Sequence, residues 1–220
     1  GGANSISVAE LAIFYMLYCA RNFKKVQLHY LEDYRFAKMG IPKTELEGKT
    51  LGLVGIGNIG KLVAKKAALG FDMKVLAFDP FARGELPEYI QLVEDRDTIF
   101  KESDYVSIHV PATKETIHSI SDREFGLMKS SAYLINTARG AIVDEPALIR
   151  ALEAGEIDMI IEVETNDLTR LQETDGITVV NIPGTSFNFL TLNNEKAPFD
   201  NQDFRHALNC AINKDELVEV

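Results

Sequence analysis

The residues of this sequence that are best suited to chemistry form a glycine-rich turn. Gly55, Gly57 and Gly60 have the spacing G-x-G-x-x-G. In such a turn the first glycine permits a tight bend, the second lets the backbone approach a pyrophosphate, and the third lets a helix pack closely against a strand. The helix that follows the turn would offer free N–H groups and the positive end of its dipole to the phosphates, and Asn58 and Ile59 within the motif are candidate cofactor contacts. The pattern therefore predicts a dinucleotide-binding turn.

The elements around this turn have the order that dinucleotide binding requires. Residues 51–54 predict a buried strand, residues 61–69 a helix, and residues 74–78 a second strand that ends just before Asp79. A carboxylate at that place would accept hydrogen bonds from the adenosine ribose and repel a 2′-phosphate, which favours NAD over NADP. A lone glycine motif also fits an ordinary turn, but here strand, helix, second strand and acid are all in register.

Strand and helix patterns alternate along the rest of the chain. They predict an α/β fold, a Rossmann-like, doubly wound, mostly parallel sheet with helices on both faces and its ligand at the carboxyl ends of the strands. The pair Ser7 and Glu10 predicts a capping box that opens a helix to residue 22, and residues 24–50 predict an arm. Further strands are predicted at 89–93, 105–110, 132–137, 159–163, 177–181 and 187–192, and helices at 96–102, 122–128, 144–154, 166–174 and 200–212. We expect residues 1–220 to form a single domain built from 1–157 and 158–220.

Composition limits the classes of partner. The net charge of −10 argues against nucleic acid and anionic membrane surfaces. Two cysteines without metal-ligand spacing imply neither a disulfide framework nor a metal site. The longest apolar run has ten residues and no signal peptide is evident, so we expect a cytoplasmic protein. The charge is uneven, because residues 1–157 carry a net of −2 and residues 158–220 a net of −8.

Residues 1 to about 157 closely resemble the cofactor domain of the NAD-dependent D-2-hydroxyacid dehydrogenases. The resemblance implies that Val110 and Pro111 lie against the adenine, that Thr116 reaches a phosphate, and that Thr137 and Ala138 contact the cofactor. It also implies that Arg139 binds the substrate carboxylate, and that the arm after the first helix is a dimerisation segment. The matching stretches are GANS at 2–5, VAE at 8–10, LEGKT at 46–50, HVP at 109–111, Thr113, Thr116, NTARG at 136–140 and VD at 143–144.

The resemblance ends after residue 157. The family's catalytic glutamate and histidine have no counterpart there, since no histidine lies near Pro183. We expect the family's substrate domain, which normally precedes the cofactor domain, to be missing as well. Residues from about 152 to 218 instead resemble a piece of the periplasmic peptide-binding proteins of ABC transporters. With the charge step at the same place, the sequence predicts an engineered chimera; the alternative is a diverged natural dehydrogenase domain.

Hydride transfer to a 2-keto acid needs a proton donor near the carbonyl and a clamp for the carboxylate. Arg139 can clamp, but it lacks catalytic partners, and a structural or anion-binding role is the stronger interpretation. None of the four histidines (29, 109, 118 and 206) stands in an acid/base constellation, and Glu162 and Glu164 fit a solvated loop. The favoured function is a scaffold that retains NAD(H) binding without turnover. The alternatives are an active NAD-dependent 2-hydroxyacid dehydrogenase and a peptide-binding module.

Overall fold

Five short strands form one parallel sheet in the order β3-β2-β1-β4-β5. They are β1 Thr50–Val54, β2 Lys74–Phe78, β3 Ile90–Leu92, β4 Tyr105–Ile108 and β5 Tyr133–Asn136. The order reverses between β1 and β4, and in open α/β sheets the crevice at such a reversal is where ligands bind. The computed structural model describes residues 4–32, 40–155, 157, 160, 165–179 and 192–211.

The chain divides into two compact units, Gly1–Ile160 and Ile161–Val220. The first unit contains the sheet and the helices α1 Ser5–Ala20, α2 Phe23–Glu32, α3 Asn58–Phe71, α4 Arg96–Glu102, α5 Asp122–Leu127 and α6 Glu145–Glu153. The second unit contains α7 Thr165–Gln172 and α8 Gln202–Ala211. The prediction that residues 1–220 form one domain stays a prediction.

Helices cover both faces of the sheet because alternate strand residues point to opposite sides. Val75 and Ala77 of β2 belong to a core cluster shared with α1 and α3, whereas Leu76 belongs to a second cluster with Ile99 and Phe100 of α4. All four residues of β4 are buried, as expected of a parallel strand covered on both faces. The predicted α/β, doubly wound fold is therefore confirmed.

The predicted capping box at Ser7 and Glu10 is wrong. Helix α1 already begins at Ser5, with Asn4 at its N-cap, so Ser7 lies inside the first turn. Another S-x-x-E sequence, Ser121 to Glu124, does form a capping box, at the start of α5. The same local pattern thus occurs twice. Ser5, the first residue of α1, and Glu124 of α5 are both buried, so the packing at the start of each helix determines which copy forms a cap.

The other differences lie in the arm and beyond residue 157. The arm contains α2, which the sequence did not predict, and residues 33–39 lie outside the described part. Residues 177–179 are described and are not in a strand, so the strand predicted at 177–181 is wrong over that part. The strands predicted at 159–163 and 187–192 fall mainly on residues outside the described part, whereas the two helices predicted there correspond to α7 and α8.

A buried carboxylate joins α4 to α5. One oxygen of Glu124 accepts from Arg96 at 2.7 Å and from Arg123 at 2.8 Å, and the other accepts from the backbone N–H and hydroxyl of Ser121 at 3.0 and 3.1 Å. The side chain is only 5% exposed. Burial alone would raise the pKa of Glu124, but the hydrogen bonds from Arg123 and Ser121 and the charge of Arg96 together hold this pKa below its ordinary value.

Replacing Glu124 with glutamine is expected to lower the free energy of unfolding by roughly 2–4 kcal/mol at neutral pH, because two arginines lose their buried partner. A carboxyl group with a depressed folded-state pKa stabilises the fold above its unfolded-state pKa, and this contribution disappears as the pH falls through the folded-state value. Urea unfolding of wild type and E124Q should therefore give curves that converge below about pH 4. Glu102→Gln, an exposed change on α4, is the control; a gap that persists unchanged to pH 3 would contradict the assignment.

Candidate dinucleotide-binding site

Three residues, Gly55 to Gly57, connect the end of β1 to the start of α3. Gly55 has φ +96°, and a Cβ there would lie 2.9 Å from the carbonyl carbon and oxygen of His109. A Cβ on Gly60 would overlap the carbonyl oxygen of Gly55. Gly57 is exposed, and a Cβ there would meet no protein atom within 4 Å. The chain itself therefore requires glycine at 55 and 60, whereas at 57 the absent side chain leaves space above the turn.

The amino end of α3 faces that space. Its first residues are Asn58, Ile59 and Gly60, its N-cap is Gly57, and no side chain caps it. The first N–H groups of a helix have no partner within the helix, and the first turn here carries no acidic residue. Backbone N–H groups together with the positive end of the helix dipole form a suitable site for a phosphate anion.

Asp79 follows β2 and is held by two backbone donors. Its Oδ2 accepts from the N–H of Ile56 at 2.9 Å, and its Oδ1 accepts from the N–H of Phe81 at 2.8 Å. The first bond ties the carboxylate to the glycine turn. Each carboxylate oxygen can accept a further hydrogen bond, so the half-buried group retains capacity for two hydroxyl donors.

The segment after β4 lies beside the turn. The N–H of His109 donates to the carbonyl of Val54 at 2.8 Å, and Val110 Cγ1 would lie 2.9 Å from a Cβ on Gly55. The imidazole of His109 is 2.9 Å, Nε2 to Oγ, from Ser107. Burial lowers the pKa of His109 to about 4, so the ring is neutral at pH 7. Val110 is partly buried and the next residue, Pro111, is exposed.

Thr116 closes the loop that follows. Its hydroxyl donates to the carbonyl of Pro111 at 2.6 Å and accepts from the N–H of Thr113 at 2.7 Å. A hydroxyl has one proton, and in this loop the protein itself receives it. The phosphate contact inferred for Thr116 therefore stays a prediction, and it would require that bond to the Pro111 carbonyl to be exchanged.

The turn after β5 places Thr137, Ala138 and Arg139 at the same edge of the sheet. Asn136 organises it: its Nδ2 donates to the carbonyl of Arg139 at 2.8 Å and its Oδ1 accepts from the N–H of Ala138 at 3.0 Å. Thr137 Oγ1 is buried and has no hydrogen-bond partner in the described part of the chain. The exposed Arg139 donates to the carbonyl of Ala138 at 2.9 Å, and no carboxylate pairs with it among residues 4–32, 40–155, 165–179 and 192–211.

The glycine turn, Asp79, the 109–111 segment and the 137–139 turn all follow carboxyl ends of strands in one parallel sheet. The sequence analysis did not single out Phe81, whose amide fixes Asp79 and whose side chain is 82% exposed, and it assigned no role to Asn136, which holds the Arg139 turn. A signal was available for both, since an Asp-Pro dipeptide after a strand and an asparagine in a loop are typical of turns. Glu162, Glu164 and Pro183 lie outside the described residues, and so does the side chain of His29.

Two negative findings apply to the part of the chain that the structure describes. No helix there has both the length and the apolar character needed to cross a bilayer. No group of three or more histidine, cysteine, aspartate and glutamate side chains is arranged to hold a metal ion there.

Residues 13–173 match the family of the D-isomer specific 2-hydroxyacid dehydrogenase NAD binding domain. Hydroxypyruvate reductase of Thermotoga maritima is 45% identical over 156 residues, which are 71% of this chain and 50% of that protein. Glyoxylate reductase of Thermococcus litoralis is 51% identical over 113 residues, which are 51% of this chain and 34% of that protein. The chain thus spans half or less of the length of these relatives.

Solved structures give the same result. D-lactate dehydrogenase of Escherichia coli has a TM-score of 0.63 at 35% identity, over 70% of this chain and 49% of that one. The NAD-complexed D-isomer specific 2-hydroxyacid dehydrogenase of Lactobacillus delbrueckii ssp. bulgaricus has a TM-score of 0.60 at 36% identity, over 70% and 46%. A second family, the bacterial extracellular solute-binding proteins, family 5 Middle, matches residues 135–220 and overlaps the first at 135–173.

Proposed function

Because the chain belongs to the family of D-isomer specific 2-hydroxyacid dehydrogenase NAD-binding domains, we propose that it binds NAD(H) in the crevice between β1 and β4. The observation that carries this proposal is the open space at Gly57, above an uncapped helix terminus, in a turn whose other two glycines the chain itself requires. Bound NAD would supply hydride transfer. The pyrophosphate would lie on Gly57 and on the N–H groups of Asn58 and Ile59.

The remaining contacts follow from the same edge of the sheet. Asp79 would accept from the adenosine ribose, and Val110 and Pro111 would flank the adenine. Thr137 and Ala138 would contact the nicotinamide end, where the unpartnered hydroxyl of Thr137 offers one donor and its lone pairs. Beside them Arg139 would bind the carboxylate of a 2-hydroxy acid, because its planar guanidinium matches a carboxylate. Among the described residues its exposed side chain donates only to a backbone carbonyl.

We expect NAD to be preferred over NADP, because the Asp79 carboxylate would face a 2′-phosphate. Asp79→Asn keeps an oxygen for the Ile56 amide but removes the charge. It is expected to weaken NADH binding by about 1.5–3 kcal/mol, the range for a hydrogen bond to a charged group, and to reduce the discrimination against NADPH. Coenzyme fluorescence should report both affinities. Quenching of intrinsic tryptophan fluorescence cannot be used instead, because the chain has no tryptophan.

Glu88→Gln is the matched control for the Asp79 experiment, because it removes one charge from an exposed loop residue in the segment after β2. Equal NADH affinities for wild type and D79N would contradict the assignment of the ribose site. NADH binding that is absent from wild type, together with binding of peptides, would favour the peptide-binding module instead.

We propose further that this chain holds the coenzyme without turning over a 2-hydroxy acid. Two histidines lie near the site in the described part of the chain. His109 is neutral and engaged with Ser107. The backbone N–H of His118 donates to the carbonyl of Ala141 at 2.8 Å, so the backbone of His118 lies against the turn that follows Arg139. His118 is exposed, so it is the first residue to test as a proton donor if the chain proves to be an active dehydrogenase, the second candidate function.

The proposal that the chain is an engineered chimera has three supports. The two matching families meet within residues 135–173, the compact units divide at Ile160, and the net charge changes sharply after residue 157. A natural protein that carries both portions in the same order, with the same join, would contradict it.

We propose that the chain forms a homodimer through α1 and the arm. One face of α1 is in the core through Ala9, Ala12 and Met16, but Ile6 and Phe14 on the other face are 60% and 55% exposed. Phe14, Tyr18 and Phe23 form a chain of ring contacts along this surface. An exposed aromatic surface of this kind is typical of a protein interface.

Light scattering is expected to give the mass of two chains at micromolar concentration. Phe14→Ser should shift the mass toward one chain, because it removes an aromatic ring from the centre of the surface. Leu69→Ser, an equally exposed apolar position on α3, is the control. A wild-type mass of one chain would count against the dimer.

A further inference from the structure

Helix α8 carries a cysteine and a histidine that approach each other on its surface. Cys210 Sγ and His206 Nδ1 are 3.9 Å apart. The two residues are four positions apart, so they lie one turn above the other on the same side of the helix. Both side chains are exposed. We propose that this pair is half of a zinc site, completed by the same pair from a second copy of the chain.

The geometry suits a shared metal ion. In tetrahedral sites Zn²⁺ lies about 2.3 Å from a thiolate sulfur and about 2.0–2.1 Å from an imidazole nitrogen, which separates the two ligand atoms by about 3.6 Å. The observed separation of 3.9 Å therefore needs only a small side-chain adjustment. A thiolate with an imidazole is a ligand pair that favours Zn²⁺ over the hard cations Mg²⁺ and Ca²⁺. On coordination the Cys210 thiol would release its proton to solvent, with no change of oxidation state.

Two ligands fill only half of a tetrahedral site. Among the described residues no third histidine, cysteine, aspartate or glutamate joins this pair in a group that could hold a metal. Helix α8 has no buried residue, and the residues that follow His206 and Cys210 are the small, exposed Ala207 and Ala211. A second α8 can therefore approach closely, and a twofold axis would supply an identical cysteine and histidine, which completes a Cys₂His₂ set.

Cobalt(II) titration of the reduced chain tests this site. The expected result is a thiolate-to-cobalt charge-transfer band with the visible bands of a tetrahedral ion, saturating at about one metal ion per two chains. Zn²⁺ should displace the cobalt and bleach the spectrum. Cys210→Ser and His206→Ala should each weaken binding by about tenfold or more, since even a residue that only supports a ligand costs about 10–100-fold.

Cys19→Ser and His118→Gln are the matched controls, because they remove the other cysteine and a second exposed histidine. Both should retain the spectrum. No cobalt–thiolate band, or a band that survives Cys210→Ser, would overturn the proposal. Saturation at one ion per chain without an increase in mass over the metal-free protein would overturn the two-copy site. None of these readouts depends on NAD binding or on the α1 interface, so the result stands apart from the proposed function.

Discussion

Substituting alanine for Gly60 is expected to lower the free energy of unfolding, because overpacking a well-packed site costs about 1–3 kcal/mol or more. Alanine inside a helix ordinarily stabilises by up to about 1 kcal/mol relative to glycine. At Gly60 the added Cβ would overlap the carbonyl oxygen of Gly55, which is backbone and cannot move aside as a flexible side chain would. The steric term should therefore exceed the helix-propensity term.

Leucine at Gly57 is expected to have the opposite profile. No atom of the described residues lies within 4 Å of a Cβ at this position, so thermal stability should be close to that of wild type. The side chain would occupy the space proposed for the pyrophosphate. NADH affinity should fall by about 3 kcal/mol or more, since at least two charge-assisted hydrogen bonds of about 1.5–3 kcal/mol each would be lost.

Gly70→Ala is the control for both changes, because Gly70 lies in the same helix and also has open space at its Cβ. It should raise stability slightly and leave NADH binding unchanged. Urea unfolding and coenzyme fluorescence on the three variants separate the two kinds of glycine. Equal NADH affinity in wild type and G57L would remove the central support for the binding site, and a stable G60A would show that the turn is looser than the structure indicates.

These glycines also show which parts of the site the sequence could predict. Gly55 is constrained by its own positive φ, and Gly60 by the carbonyl oxygen of Gly55 within the same turn, so their spacing alone specifies the turn. Asp79 was predictable because the length of the strand-helix-strand unit fixes where the second strand ends. The doubly wound sheet was predictable for a related reason, since alternating strands and helices leave few ways to cover both faces.

Other features depend on contacts that the local sequence does not encode. Thr116 has the residue type for a phosphate contact, but the fold of its loop places the Pro111 carbonyl within reach of its proton. Asn136 lies at the end of a predicted strand, but its two bonds to the backbone of residues 138 and 139 depend on how the following turn folds, which the local sequence does not specify. Ser7 and Ser121 begin identical S-x-x-E patterns, but Ser7 lies inside α1, whereas Glu124 packs against two arginines at the start of α5.

Turnover is the second result with a large expected effect. With NADH bound and glyoxylate or pyruvate supplied, we expect no NADH oxidation above the uncatalysed background. A positioned general acid contributes about 10²–10⁴-fold, and neither histidine near the site is arranged as one. His109 has a pKa of about 4, so its ring is neutral at pH 7 and cannot act as the general acid. The ring is also hydrogen-bonded to Ser107. Arg139 alone would orient the keto acid without protonating it.

The assay is informative only once NADH binding to the same preparation has been measured, because absence of turnover then cannot reflect absence of coenzyme. Arg139→Ala removes the proposed carboxylate clamp, and His118→Gln removes the histidine whose backbone contacts the turn after Arg139. Arg83→Ala, at an exposed arginine after Asp79, is the control. A rate that saturates with the keto acid, that disappears in R139A and H118Q and that survives in R83A would establish the chain as an active dehydrogenase with His118 as its proton donor.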